Sequence, residues 1–259
     1  MTLEQDQTAQ IKSIISDHES GKILSDTHRT IFEELLLSDL PPSEKGLARL
    51  SDEAQNTLAA GSTTTVHHLK STIYFILADE QIRRRLQAEL AEAIPHASSI
   101  PPLHVLEQLP YLNAIVKEGY RTNDGASTRL ARIAPDTDLK YRNTVIPMGT
   151  TISMSTYIQH RDQTIFPDPE TFDPERWLGE GASKRERYLV NFSKGTRGCL
   201  GINLAKAEIY FTLAALFRRF DLKLFDTVRS RDVDTARDFF VPYASKESKG
   251  VRVTVEVCH

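Results

Sequence analysis

The residues best suited to chemistry in this chain stand together in Phe192-Ser193-Lys194-Gly195-Thr196-Arg197-Gly198-Cys199-Leu200-Gly201. A thiolate is both a nucleophile and a metal ligand. Cys199 lies just before an apolar, helix-periodic run, so the stretch reads as a loop feeding a helix N-terminus. At such a terminus, free N–H groups and the macrodipole favour thiolate over thiol. Arg197, two residues earlier, adds a fixed positive charge suited to a carboxylate. Gly195 and Gly201 suit backbone that turns sharply or approaches a flat object closely. A thiolate in a glycine-bounded loop beside an arginine is the arrangement expected of an axial ligand to haem iron. A buried structural cysteine is the plainer alternative, as for most lone cysteines.

The string fits Phe-x-x-Gly-x-Arg-x-Cys-x-Gly at all five fixed places. Such a coincidence is on the order of one in ten thousand or less for a chain this long. On these residues the sequence resembles the cytochrome P450 haem-thiolate monooxygenases. The resemblance implies heme b (iron protoporphyrin IX) bound through the Cys199 sulfur. Phe192, Gly195, Arg197 and Gly201 then complete the cofactor-binding loop, with Arg197 on a propionate.

Two further stretches acquire roles from the same resemblance. Ala60-Gly61-Ser62-Thr63-Thr64-Thr65 is weak helix material, Gly61 alone costing about 1 kcal/mol against alanine. Threonine hydroxyls there can also bond back to the preceding turn. The resemblance places an oxygen-binding groove here, lined by Ala60 and Gly61, with Thr64 supplying the hydroxyl. The family's usual acid before that threonine is Thr63 in this chain, so proton delivery needs another route, through water. Glu118 and Arg121 lie three apart beside an apolar helix stripe, and Phe172-Asp173-Pro174-Glu175-Arg176-Trp177 follows. The resemblance makes Glu118, Arg121 and Arg176 a buried network that locks the cysteine loop. It makes Arg129 a propionate partner, and Phe239, Phe240 and Val241 substrate-pocket residues at a hairpin tip. An exposed strand arginine is the plainer alternative for Arg129, and a packed sheet corner accounts for the Phe239–Val241 cluster equally well.

The elements that must position these groups read as mainly α with small β-sheets (α+β). They match the C-terminal half of the family fold in one partial domain over residues 1–259. Residues 1–50 are expected to form amphipathic helices, with Ile11, Ile14, Ile15, Ile31, Leu35, Leu36 and Leu37 as the apolar positions. Periodicity predicts helices over 51–78, 79–94 and from Pro110 onward. His67 and His68 read as solvent-facing or packing residues, and Arg83-Arg84-Arg85 as a solvated face. Short β-type runs fall at 129–133, 139–141, 144–146 and 151–155. A helix over 200–220 follows, with Leu204, Phe211 and Phe217 among its expected core residues. Strands at 222–225, 239–243 and 251–257 end the chain, the last two flanking Ser248-Lys249-Gly250.

Composition bounds the rest. The 259 residues are 40% hydrophobic and 26% charged, as in ordinary globular proteins. Thirty-two basic against 35 acidic residues give −3, which points away from nucleic acid. Two cysteines, Cys199 and the incidental Cys258, fit a reducing, intracellular compartment. No run of 18 apolar residues offers a transmembrane segment, and Met1–Gln10 reads as neither signal peptide nor anchor. Members of the resembled family are about twice this long, and many sit at the endoplasmic reticulum membrane. The match is therefore to half of such a protein, either as part of a longer product or with the front lost. The expected activity is insertion of one atom of dioxygen into a small apolar organic substrate. Electrons would come from a separate reductase, because no flavin or nicotinamide motif is present. Lys184, Arg185, Arg187 and Lys194 would offer that donor a basic surface, or serve only as solubility charges. Leu106–Leu112 and Phe239–Pro242 resemble fungal trichodiene-oxygenase-type members, which suggests a terpenoid or other secondary metabolite. The alternatives are a catalytically inactive haem-binding remnant of such an enzyme and a thiol-bearing module without haem.

Overall fold

The computed structural model describes residues 3–22, 29–123 and 125–257. Cys258 lies outside the described residues. The chain divides into two compact units, Met1–Thr63 and Thr64–His259, with the boundary inside one long helix.

In the first unit, α1 (Leu3–Glu19), α2 (Ile31–Leu37) and the start of α3 (Leu47–Ala78) close a small core of Ile11, Leu36, Leu50 and Ala54. α2 begins with a capping box: Thr30 Oγ1 accepts the Glu33 N–H, and the Glu33 carboxylate accepts the Thr30 N–H. At its other end Lys45 Nζ donates to the Leu36 and Ser38 carbonyls, where a cation suits the dipole. Ile31 and Leu37, expected on the apolar face, are exposed. A two-turn helix buries one stripe, and these positions lie about 140° and 100° around from Leu36.

The second unit is built around α6. After α3 come α4 (Glu80–Ala93), α5 (Leu103–Leu106) and α6 (Pro110–Thr122). Asp79 caps α4 by accepting the Gln81 and Ile82 N–H groups at 2.8 and 3.2 Å. Pro110 opens α6 as expected, and the next two N–H groups, of Tyr111 and Leu112, donate to Glu89 of α4 at 2.7 and 2.8 Å. An anion at a helix N-terminus both satisfies these donors and complements the dipole. Nine of the 13 residues of α6 are buried, so it runs through the core rather than over it. Gly119 permits close crossing: a Cβ there would lie 2.5 Å from Thr72 Oγ1 and 2.9 Å from His68 Nε2 of α3.

The remaining elements are short until α9. They are β1 (Arg132–Ile133), β2 (Leu139–Tyr141), β3 (Thr144–Ile146), β4 (Thr151–Ile152), α7 (Thr156–His160) and α8 (Ala182–Glu186). Then follow α9 (Ile202–Arg219), β5 (Phe220–Leu224), α10 (Arg229–Asp232), β6 (Arg237–Phe239), β7 (Val241–Tyr243) and β8 (Val253–Val257). The strands form four antiparallel pairs: β1 with β4, β2 with β3, β5 with β8 and β6 with β7. This mainly helical body with small sheets is the expected α+β class.

Three expectations are corrected. The strand near the C-terminus pairs with β5, not with 239–243; that segment folds on itself around Phe240, whose φ is +71°. On α9 the buried stripe is Ile209, Tyr210, Leu213, Ala214 and Phe217, whereas Leu204 and Phe211 are exposed. The helix is apolar on more than one side, so periodicity alone could not choose its inner face. Arg83-Arg84-Arg85 is not a uniformly solvated face. Arg83 donates to the Asp221 carboxylate at 2.9 Å, Arg85 pairs with Glu175 over the Tyr111 ring, and only Arg84 points outward. Among the described residues no helix is long and apolar enough to cross a membrane.

Candidate functional site

The cysteine loop closes on itself through the backbone. Ser193 N–H donates to Val190 O at 2.8 Å, Gly198 N–H to Gly195 O at 2.9 Å and Cys199 N–H to Phe192 O at 2.8 Å. Gly195 sits at φ +77°, where an L side chain would be strained, and a 3-10 turn runs over Gly195–Arg197. A Cβ on Gly198 would crowd Gly195 O at 3.2 Å. Gly201 has no such requirement: its φ is −85° and its surroundings are open. Cys199 is not at the helix start either. Gly201 is the N-cap and Ile202 the first residue of α9, and the Cys199 amide is already held by Phe192. What fixes the sulfur is therefore the closed loop rather than the first turn of a helix.

Behind the loop lies a buried ion network. Glu118 and Arg121 of α6 are 0% and 1% exposed. Arg121 uses all five N–H donors. Two go to Glu118 at 2.9 and 2.7 Å, and three to the carbonyls of His160 (3.2 Å), Pro169 (2.7 Å) and Thr171 (3.0 Å). Glu118 also accepts the Asp173 N–H at 2.9 Å, Trp177 Nε1 at 2.9 Å and Arg176 Nε at 3.4 Å. Arg176 in turn donates to the Pro167 and Asp168 carbonyls. The structure thus brings Glu118, Arg121 and Arg176 together, and adds Trp177. His160 extends the set. Its Nε2 accepts the Val190 N–H at 3.0 Å, at the entrance to the cysteine loop. Burial, then Arg121 and Arg161, push the His160 pKa down to about 4.

The segment after α6 joins the loop to the C-terminal hairpin. A Cβ on Gly125 (φ +61°) would press on Asn191 O at 3.2 Å. Ser127 N–H donates to Phe240 O at 2.9 Å, and its hydroxyl to the Asp238 carboxylate at 2.7 Å. Arg132 donates to Ser193 Oγ at 2.6 Å, so of the two arginines here Arg132, not Arg129, reaches the cysteine loop. Arg129 is exposed and bonds to none of the described residues. At the hairpin Phe239 and Phe240 are exposed while Val241 is buried. Among the expected docking charges, Arg185 turns inward to Arg176 O at 3.0 Å and Lys194 donates to Arg187 O at 2.6 Å; Lys184 and Arg187 face solvent. On α3, which runs unbroken through 60–65, Ala60 and Gly61 are exposed and Thr64 is half-buried. His68 is buried against the Tyr120 ring, and Tyr120 meets Phe192 edge-on at 5.0 Å. Sequence reasoning missed Arg132, His160 and Glu89, whose partners are far along the chain.

The front of the loop has the chemistry of a cofactor seat. Cys199 is a free, exposed thiol, and Leu200 beside it is 101% exposed. Arg197 is exposed and free of ion pairs with the described residues. A soft single-sulfur donor, exposed apolar side chains and an unpaired guanidinium suit a flat apolar macrocycle carrying acidic groups. No cluster of three His, Cys, Asp or Glu among the described residues could hold a metal by itself.

Fold and loop together define a mainly helical domain that presents one exposed cysteine in front of a buried Glu–Arg scaffold. The chain belongs to the cytochrome P450 family, whose family model (Cytochrome P450) matches residues 3–247; members of this family bind heme b. Among similar proteins, cytochrome P450 monooxygenase MO6277 of Ascocoryne sarcoides is 46% identical over 87% of this chain and 44% of its own length. Tryptophan 6-hydroxylase fscE of Fusarium equiseti is 41% identical over 98% and 50%. Fusicoccadiene C-8 hydroxylase of Alternaria brassicicola is 42% identical over 87% and 44%. The chain spans about half the length of the curated relatives it matches.

Proposed function

We propose that this chain, a single partial domain of its family, carries the haem-thiolate half of a monooxygenase. The activity is insertion of one atom of dioxygen into a small apolar organic molecule. The observation that carries the reading is the exposed Cys199 thiol in a loop closed by the Phe192–Cys199 backbone bond and backed by the Glu118–Arg121–Arg176 network. Heme b, when bound, supplies oxygen activation, to which thiolate donation contributes. Cys199 is its ligand, with Phe192 and the Gly195–Gly201 backbone shaping the seat. Arg197 and Arg129 are the cations proposed for its acidic groups, and the bond from Arg132 to Ser193 Oγ supports adding Arg132 to them. Thr64, one turn beyond Ala60 and Gly61 on α3, offers a hydroxyl able to hold or pass a proton. With Thr63 in the place of an acid, the next carrier is water. Phe239 and Phe240 present apolar surface for substrate, beside the buried Val241.

The electron donor is a separate reductase, and the setting a reducing, intracellular one. Relatives named for fusicoccadiene and for tryptophan support secondary metabolism as the setting, and a terpenoid remains our first choice of substrate. The test is the spectrum of the haem-supplied protein, reduced under carbon monoxide. A strongly red-shifted Soret band that disappears in Cys199→Ala supports the reading. Haem retention and that band without turnover beside a reductase would instead make the chain a catalytically inactive haem-binding remnant. No haem retention would sink the reading for this chain.

A further inference from the structure

We propose that His160 is the positioning residue of the cysteine loop, its neutral ring accepting the Val190 N–H and so tying the loop entrance to the buried Glu118–Arg121 pair. No motif marks this histidine. It ends α7, is 0% exposed, and is held from both sides. Its carbonyl accepts Arg121 Nη1 at 3.2 Å, and its Nε2 accepts Val190 N–H at 3.0 Å. An accepting Nε2 places the single ring proton on Nδ1, which is buried and has no partner among the described residues. Burial and the two neighbouring cations, Arg121 and Arg161, keep the ring neutral at ordinary pH, with a pKa of about 4. The acceptor is therefore permanent in that range.

From Val190 the connection continues by short steps. Val190 O accepts Ser193 N–H at 2.8 Å, Ser193 Oγ accepts Arg132, and Phe192 O accepts Cys199 N–H at 2.8 Å. Arg121, His160, Val190, Phe192 and Cys199 thus form one connected path of hydrogen bonds and two short backbone links. The bond from Arg121 uses the His160 backbone carbonyl and not its ring, so replacing the ring removes from the loop entrance its only side-chain anchor among the described residues on the Val190 N–H. The consequence for the sulfur rests on Cys199 being the haem ligand; the bond at Val190 does not.

The full chain, labelled with nitrogen-15, tests this directly. A through-hydrogen-bond coupling between the Val190 amide nitrogen and His160 Nε2 is expected in the unaltered protein. Amide exchange at Val190 should quicken about tenfold or more in His160→Leu and return toward the original rate in His160→Gln, whose amide oxygen can accept. With haem supplied, His160→Leu should convert a large share of the reduced carbonyl complex from the thiolate-type to the unshifted Soret band, and His160→Gln much less. If His160→Leu does not fold, the coupling and the glutamine variant decide. A protonated Nε2, or Val190 exchange that is the same in the leucine variant, overturns the proposal. So does equal loss of the thiolate band in the leucine and glutamine variants. If exchange behaves as expected but even the parent shows no thiolate band, the haem reading fails and the His160 anchor stands.

Discussion

Behind the cysteine loop, Glu118 and Arg121 are almost wholly buried and Arg121 has no spare donor, whereas in front of it Cys199, Leu200 and Arg197 stand open to solvent. The two faces obey opposite rules. A buried charge is tolerated only when every polar atom is matched, and the network meets that condition with carbonyls from 160–171, the Asp173 amide and the Trp177 indole. The front face leaves a thiol, apolar side chains and a cation unmatched, and that is what a cofactor with a sulfur-seeking metal, an apolar plane and acidic edges would use. The difference teaches where this chain is rigid by construction: the loop is positioned from the rear and kept chemically free at the front.

The comparison can be broken from the rear. Arg121→Ala should produce the largest loss of stability, about 3–5 kcal/mol, because it leaves Glu118 buried without its partner. Urea denaturation measures it, and a loss below about 1 kcal/mol would mean the network is not a single unit. Acid attacks the same side through its histidines. Burial, in first place, lowers His68 to about 3 and His160 to about 4 from 6.5. Both therefore protonate more readily when unfolded. The stability they support is full above pH 6.5 and is lost as pH falls toward 4 and 3. At about 1.4 kcal/mol per pH unit per histidine, each should cost about 2 kcal/mol between pH 6.5 and 5. Urea midpoints at pH 7 and 5 would show this, and equal midpoints would contradict it. Gly119→Ala should cost about 1–3 kcal/mol by forcing α3 from α6 at Thr72 and His68; thermal unfolding reads it. On the open face, Arg129→Ala should change stability by less than about 0.5 kcal/mol by the same measure. Arg132→Ala, which frees Ser193, should weaken haem retention by titration. Unaltered retention there would remove Arg132 from the cations of the cofactor seat.

Much of the site was legible because its parts are local. The cysteine loop lies within ten residues, and Glu118 and Arg121 are three apart on one helix, so chain geometry alone makes them neighbours. Pro110 and the strands at 139–141 and 144–146 were readable for the same reason, since Pro at a first turn and a two-residue connection act over a few residues. The inner face of α9 was not. Leu204 and Phe211 are as apolar as Leu213 and Phe217, and burial depends on what the rest of the chain brings against them.

By itself the sequence determined the helical class, the thiol-bearing loop and the Glu–Arg pair, because bond lengths and helical repeat bring residues at short spacing together whatever else the chain does. Only the tertiary structure decided that Arg132 rather than Arg129 meets Ser193, 61 residues away, and that His160 meets Val190 across 30 residues. It also decided that Ser127 ties the Phe240 hairpin to the segment after α6 across more than 110 residues. Such contacts depend on loop paths and on matching buried donors to acceptors, and no local period in the chain encodes them.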